Sequence, residues 1–209
     1  MNEKYHEVDL KKWKRSMHHR VFRKYAIPQY CITVELDVTN FCSKVKENHW
    51  SFSFAFVFIV TKCANKTEEF RYRFLDGKVV QYKQINTAFT SMHWETELFK
   101  VVKTEMQDHL EDYIRLAAEN AKNQTEYFVG PLGNEVYFFS SVPWLSYTQI
   151  SDTFDGDTEN AAPMFQWGKF YEKDGKKVMP FSVKVHHAFV DGLHVARLVE
   201  SIQKYLNEL

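Results

Sequence analysis

From Tyr30 to Val38 the chain alternates strictly: Tyr30, Ile32, Val34, Leu36 and Val38 are separated by Cys31, Thr33, Glu35 and Asp37. A period of two puts the two sets on opposite faces of a pleated strand, so this segment is expected to be a half-buried strand. The period before it is different. Between residues 11 and 24, Trp13, Met17 and Val21 recur at every fourth position among basic residues, as on one face of an amphipathic helix. The run SFAFVFIVTKCA at 53 to 64 is too long for an ordinary strand and too short to span a bilayer. It predicts a buried helix, with a phenylalanine-rich strand as the alternative.

Asp76-Gly77, set between β-prone runs within residues 70 to 84, is the strongest short-range hairpin signal in the chain. Val102, Met106, Leu110, Tyr113, Ile114 and Ala117 then predict one long surface helix over 99 to 121. A strand is expected from Glu135 to Ser141, and a second hairpin turning at Asp174-Gly175 within 164 to 186. Val195, Leu198, Val199, Ile202, Tyr205 and Leu206 predict an amphipathic C-terminal helix from Leu193 onward. Hairpins interleaved with helices describe an α/β fold of two layers, a mixed sheet covered by helices. With no repeat and no low-complexity tract, residues 1–209 read as a single domain.

Composition narrows the function classes. Eighteen Phe, 11 Tyr and 5 Trp against 7 Gly and 5 Pro favour long regular elements. Lys plus Arg and Asp plus Glu balance at 27 each, so no general field draws the chain to nucleic acid or an anionic membrane. The N-terminal stretch MNEKYHEVDLKKWKR is charged where a secretory signal needs an apolar core, and no apolar run is long enough for a membrane span. A soluble, cytoplasmic protein is the expectation. Cys31, Cys42 and Cys63 lie too far apart for a disulfide framework or paired zinc ligands and are expected as core thiols.

The sharpest local feature is FSVKVHHAFVDGLH, residues 181 to 194, where a strand runs through a turn into the last helix. Alternation groups His187 with Phe181, Val183 and Val185, and His186 with Ser182 and Lys184. His187 is therefore expected on the apolar side, facing a cleft, with burial keeping it neutral as a general base requires. Read alone, it could equally be a satisfied core histidine and Asp191 a turn residue. A zinc site at His186, His187 and Asp191 is disfavoured, because adjacent strand residues point oppositely; no metal is expected.

The block His186-His187-Ala-Phe-Val-Asp191-Gly192 resembles the HHxxxDG signature of the chloramphenicol acetyltransferase family, within the wider class of CoA-dependent acyltransferases. Trp13-Lys14-Arg15 is similar to that family's N-terminal W-x-R, FFSSVPW at Phe138 to Trp144 to its S-x-x-P-W stretch, and MFQWGKF at Met164 to Phe170 to its strand ending in G-K-Y. The resemblance covers nearly the whole chain. It implies the CoA-dependent acyltransferase fold, acetyl-CoA as co-substrate, a small hydroxylated acceptor such as chloramphenicol acetylated at its 3-hydroxyl, and a homotrimer with active sites at subunit interfaces. It further implies His187 as general base, Ser140 as donor to the oxyanion, and Asp191 paired with Arg15 in a structural role. Trp144, Lys169 and Phe170 fall at coenzyme positions; Phe22, Phe154 and Gln166 fall on the acceptor side.

Departures from the family pattern gather on the acceptor side. Gln166 stands where a threonine is usual, and Asn160, Ala161 and Ala162 near an expected aromatic pair. Val190 and Leu193 replace a cysteine and a phenylalanine, Phe170 a tyrosine, and Ser51 and Ser53 a lysine and a tyrosine. The acyl-transfer machinery is thus better preserved than the acceptor pocket. The alternatives are a same-fold acetyltransferase for another hydroxylated acceptor, a dihydrolipoamide acyltransferase core without its lipoyl domain, and a non-catalytic CoA-binding trimer.

Overall fold

The computed structural model describes residues 4–128, 130, 132–153 and 155–209. A short strand β1 (Tyr5–Glu7) and helix α1 (Ser16–Phe22) lead into β2 (Gln29–Asp37), α2 (Thr39–Glu47) and α3 (Phe52–Asn65). After a single 3-10 turn at Glu68–Arg71 come β3 (Tyr72–Leu75), β4 (Lys78–Tyr82), β5 (Asn86–His93), β6 (Leu98–Thr104) and α4 (Leu110–Asn123). The chain ends with β7 (Val136–Val142), β8 (Met164–Gly168), β9 (Tyr171–Lys173), β10 (Lys176–His186) and α5 (Gly192–Glu208).

The large sheet runs β2-β10-β8-β7-β5-β6, with β9 added to β10, and β1-β4-β3 form a small second sheet. The β5–β7 and β7–β8 pairs are parallel and the other pairs antiparallel, which makes the large sheet mixed. Helix α3 is apolar around most of its surface because Ala55 to Val60 lie fully within the core. Its Phe56 meets Trp167 at 5.2 Å and Phe181 at 5.6 Å, both edge-on. Truncating a ring buried in this way costs about 3–5 kcal/mol. The register places Phe139, Phe165 and Val183 in one cross-strand row and Ser140, Gln166, Ser182 and Thr33 in the next. Rows alternate between faces, so the second row looks away from α3, where Ser182 and Thr33 share a hydrogen bond of 2.7 Å.

Both hairpins turn as expected, with Asp76 and Gly77 at φ of +50° and +74° and Asp174 and Gly175 at +52° and +77°, the signs a two-residue hairpin turn requires. The expected helix at 99 to 121 is a correction. Leu98–Thr104 is strand β6, in keeping with the β-branched Val101, Val102 and Thr104, and only Leu110–Asn123 is helical. The inward Lys100 of β6 then donates to the carbonyls of Ala121 and Gln124 at 2.9 and 2.7 Å, capping the end of α4.

Helix α1 is shorter than its spacing predicts. Trp13 precedes it, held by Tyr72 through an indole hydrogen bond of 3.2 Å, while Met17 and Val21 are exposed and His19 is the buried residue. Of the three cysteines, Cys63 is buried in α3, whereas Cys42 is half-buried and Cys31 exposed. The strands β1, β5 and β6 and helix α2 were not anticipated.

Candidate active site

The two ends of the chain meet at the turn after β10. Arg15, at the start of α1, is 6% exposed and grips Asp191 with two hydrogen bonds, Nη1 to Oδ2 at 2.6 Å and Nη2 to Oδ1 at 2.9 Å. The same guanidinium donates to the carbonyls of His187 and Ala188 at 3.3 and 3.4 Å. A bidentate planar fork of this kind fixes orientation as well as distance. The Arg15 hydrogen bonds hold the Asp191 carboxyl below its usual range, against the opposing effect of partial burial. Asp191 also opens α5 through a capping box: its backbone N–H donates to His194 Nδ1 at 2.9 Å, and His194 Nε2 lies 3.4 Å from Glu69.

His187 follows the last residue of β10, and its N–H donates to the carbonyl of Pro28 at 3.0 Å. Its ring stacks on Phe22, with centroids 3.9 Å apart and planes 7° from parallel, and meets Tyr30 at 4.8 Å. Nδ1 sits 3.2 Å from Asp191 Oδ1 and is buried without a hydrogen bond, and among the described residues no side-chain hydrogen bond of His187 is formed at Nε2 either. The contact with an anion favours the tautomer with its proton on Nδ1, which leaves a lone pair on Nε2.

The strand-parity expectation needs correction here. His187 side-chain exposure is 37%, and the deeply buried histidine is His186, at 1%. Both faces of β10 are covered, so alternation does not sort its residues into inside and outside. Burial pushes His186 down to about 4 from an ordinary 6.5. Its Nδ1 accepts from the N–H of Ala188, and Nε2 lies 3.0 Å from the Thr158 carbonyl.

A depressed histidine pKa has a definite sign: the unfolded chain takes up a proton below pH 6.5 that the fold refuses until about pH 4, so stability falls with pH across that window. The full contribution is roughly 3 kcal/mol at 1.36 kcal/mol per unit. Urea unfolding at fixed protein concentration should show His186→Gln losing much less stability than the parent between pH 7 and pH 5. Parallel curves for the two proteins would remove His186 as the cause.

Ser140 is held elsewhere. It pairs in register with Gln166, and Gln166 with Ser182, five residues before His187. At about 3.3 Å per residue along the strand and 4.8 Å per ladder, Ser140 and His187 of one chain lie on the order of 19 Å apart. No single small acceptor bridges that distance. Ser140 instead borders a cavity of about 370 Å³ with Ser51, Ser53, Trp94 and Trp144. Trp144 is 53% exposed and meets Trp94 edge-on at 6.2 Å, and Ser51 caps the N-terminus of α3. Gly168 lets the Trp144 segment cross the end of β8, since a Cβ there would stand 2.6 Å from the carbonyl of Leu145. That carbonyl accepts from the N–H of Lys169 at 2.7 Å, which brings the Trp144 and Lys169 segments together. Phe170 lies beside Phe52 at 6.2 Å, at the start of α3.

The sequence profile described as chloramphenicol acetyltransferase matches residues 1–203. The chain belongs to the chloramphenicol acetyltransferase family. A chloramphenicol acetyltransferase from Escherichia coli is 33% identical over 207 residues, covering 98% of this chain and 94% of that protein. A solved chloramphenicol acetyltransferase superposes with a TM-score of 0.89 at 24% identity, covering 97% of this chain and 99% of the other. A probable dihydrolipoamide acetyltransferase from Listeria monocytogenes shares the fold more distantly, with a TM-score of 0.66 at 14% identity, covering 99% and 95% of the two chains.

For this member of the chloramphenicol acetyltransferase family, the structure gathers Arg15, His187, Asp191 and Phe22 at one locus, Ser140 and Trp144 at the cavity beside the start of α3, and Gln166 with Ser140 at a second cavity. Phe154 lies outside the described residues. Sequence reasoning missed Tyr30, Glu69 and His194, which brace the histidine turn. Tyr30 carried a sequence signal only as the first residue of the alternating run to Val38; its register with Val185, two positions before His187, is what brings it to the site. Asp152, which accepts from Gln166 Nε2 at 2.8 Å, was also missed; it sits in a segment without periodicity.

Proposed function

We propose that residues 1–209 act as one acyltransferase domain that transfers acetyl from acetyl-CoA to the 3-hydroxyl of chloramphenicol. The observation that carries this is the half-exposed imidazole of His187, with Nε2 free and its backbone clamped by the Arg15–Asp191 pair. Membership of the family supplies the reaction and the acceptor. In this reading the acceptor oxygen attacks the thioester carbonyl as Nε2 takes the hydroxyl proton. The tetrahedral oxyanion accepts a hydrogen bond from Ser140, and its collapse expels the CoA thiolate, which takes the proton back from the imidazolium.

Coenzyme A fits the cavity beside Ser140. Trp144 and Trp94 offer exposed rings there, the N-terminus of α3 opens on it through Ser51, and Lys169 stands nearby for phosphate. The within-chain separation of Ser140 and His187 favours an assembly in which His187 of one copy faces the Ser140 cavity of another. Met17, Val21, Tyr25 and Ile27 form an exposed apolar surface around Phe22 and suit such a contact. A homotrimer is the form the family resemblance implies. Working in the cytoplasm, where acetyl-CoA is available, it would inactivate the antibiotic and confer resistance.

The test is release of free thiol from acetyl-CoA by the purified protein. Brisk release that requires chloramphenicol establishes the acceptor. Release with another alcohol and none with chloramphenicol keeps the chemistry and rejects that acceptor. Ser140→Ala should lower kcat by about 10² to 10³-fold with KM for acetyl-CoA little changed, as loss of one oxyanion donor does; an unaltered kcat would remove Ser140 from the mechanism.

A further inference from the structure

Behind Ser140, on the face of the large sheet turned away from α3, lies a buried polar pair that the acyl-transfer steps leave unused. Gln166 is 4% exposed; its Nε2 donates to Asp152 Oδ1 at 2.8 Å, and its Oε1 is buried without a hydrogen-bond partner among the described residues. Asp152 Oδ2 is likewise buried without a hydrogen bond, 3.5 Å from Lys184 Nζ. Buried polar atoms are almost always hydrogen-bonded, so two acceptors without a hydrogen bond on one linked pair, one of them met only by Lys184 at ion-pair distance, point to a group that arrives from outside the chain. Both side chains line a cavity of about 300 Å³ together with Ser140, Thr90 and Thr153.

The chemistry of the pair selects its ligand. Both free atoms accept, and Lys184 offsets the charge of Asp152, so the site suits a neutral O–H or N–H donor and not an anion. We infer that Asp152 and Gln166 are the specificity element for the acceptor, receiving a hydrogen-bond donor that the acceptor carries in addition to the hydroxyl being acetylated. This rests on the acyltransferase reading above. Chloramphenicol meets the requirement with its second hydroxyl and its amide N–H. An alcohol without a further donor would leave two buried acceptors unpaired, the kind of mismatch that sites built for hydrogen bonding reject most strongly.

Calorimetric binding without acetyl-CoA decides the matter independently of turnover. The two probes are chloramphenicol and the nitrophenyl-propanol that keeps its ring and terminal hydroxyl but lacks the other two donors. Asp152→Asn preserves shape and can still accept from Gln166, while presenting an amide donor where Oδ2 was an acceptor. It should weaken chloramphenicol binding by at least about tenfold and leave the propanol within about twofold, the effect expected of one charge-assisted hydrogen bond. Gln166→Met, an apolar replacement of similar length, should act in the same direction and serves if the first variant misfolds.

Unchanged chloramphenicol affinity in both variants overturns the inference, as does an equal loss for both probes, which reports only a distorted cavity. Absence of chloramphenicol binding to the parent protein also overturns it. Loss of assembly with discrimination intact would assign the pair to a subunit contact instead. The acyltransferase reading fails on a different result, namely no His187-dependent thiol release with any acceptor.

Discussion

His187→Ala should abolish acceptor-dependent thiol release, by about 10³-fold or more, while acetyl-CoA still binds. A positioned general base contributes about 10² to 10⁴-fold, and no neighbour can substitute for this one. His186 is buried and hydrogen-bonded through both ring nitrogens, and His194 is committed to Glu69 and the backbone of Asp191. CoA binding should survive because Ser51, Trp94, Ser140 and Trp144, which line the cavity within one chain, are all left in place. The same variant tests the shared site. If His187 of one copy serves Ser140 of the next, then His187→Ala and Ser140→Ala subunits, each inactive alone, regain activity when unfolded together and reassembled at equal amounts. About a quarter of the sites in such a mixture would then combine an intact histidine with an intact serine, as a head-to-tail interface requires. No recovery in verified mixed assemblies would place both groups in one chain and contradict the separation across the sheet.

Much of the fold was legible because single periods dominate single elements. The strict alternation of Tyr30 to Val38 needs no tertiary information, and neither does an apolar run as unbroken as Phe54 to Val60. The failures occurred where two periods overlap. Val102, Met106, Leu110, Tyr113 and Ala117 fit a helical spacing, yet the first belongs to a strand, because β6 and the start of α4 offer apolar residues about four apart by coincidence of their junction. Helix α1 failed for another reason. Its apolar stripe is real, but Met17 and Val21 do not face the chain's own core, so the pattern that signals a helix says nothing of what covers it.

The site was legible unevenly. The Arg15–Asp191 pair, 176 residues apart in sequence, came from the family resemblance and not from spacing, and the structure brings the two together with bidentate geometry. Parity misjudged the two histidines, because alternation predicts burial only when one face of a strand is open. Segment 145 to 162 has no period, and Asp152 became visible only through its contacts with Gln166 and Lys184.

The Arg15–Asp191 pair leads to the second large effect. Asp191→Asn keeps an oxygen to accept from Arg15 and a side chain able to cap α5, but removes the negative charge. Arg15, with a side chain 7% exposed, is then left as a buried cation without its anion. One-sided removal of a buried pair costs about 3–5 kcal/mol. Because the Asp191 side chain is 32% exposed, a value near 2 kcal/mol is the better expectation here, after allowing for solvent screening. Turnover should fall further than stability alone explains, since the guanidinium that anchors the His187 carbonyl loses its own anchor. Acetyl-CoA binding should remain. The double variant Arg15→Met with Asp191→Asn removes the stranded charge and should regain stability over Asp191→Asn alone, as buried pairs replaced on both sides often do. It should not regain turnover, because nothing then fixes the backbone of the histidine turn. Urea unfolding, thiol release and CoA titration on the three variants separate these outcomes. Near-parental turnover in Asp191→Asn would defeat the positioning role, and recovery of turnover in the double variant would show that the stranded charge, not the lost clamp, had disabled the base.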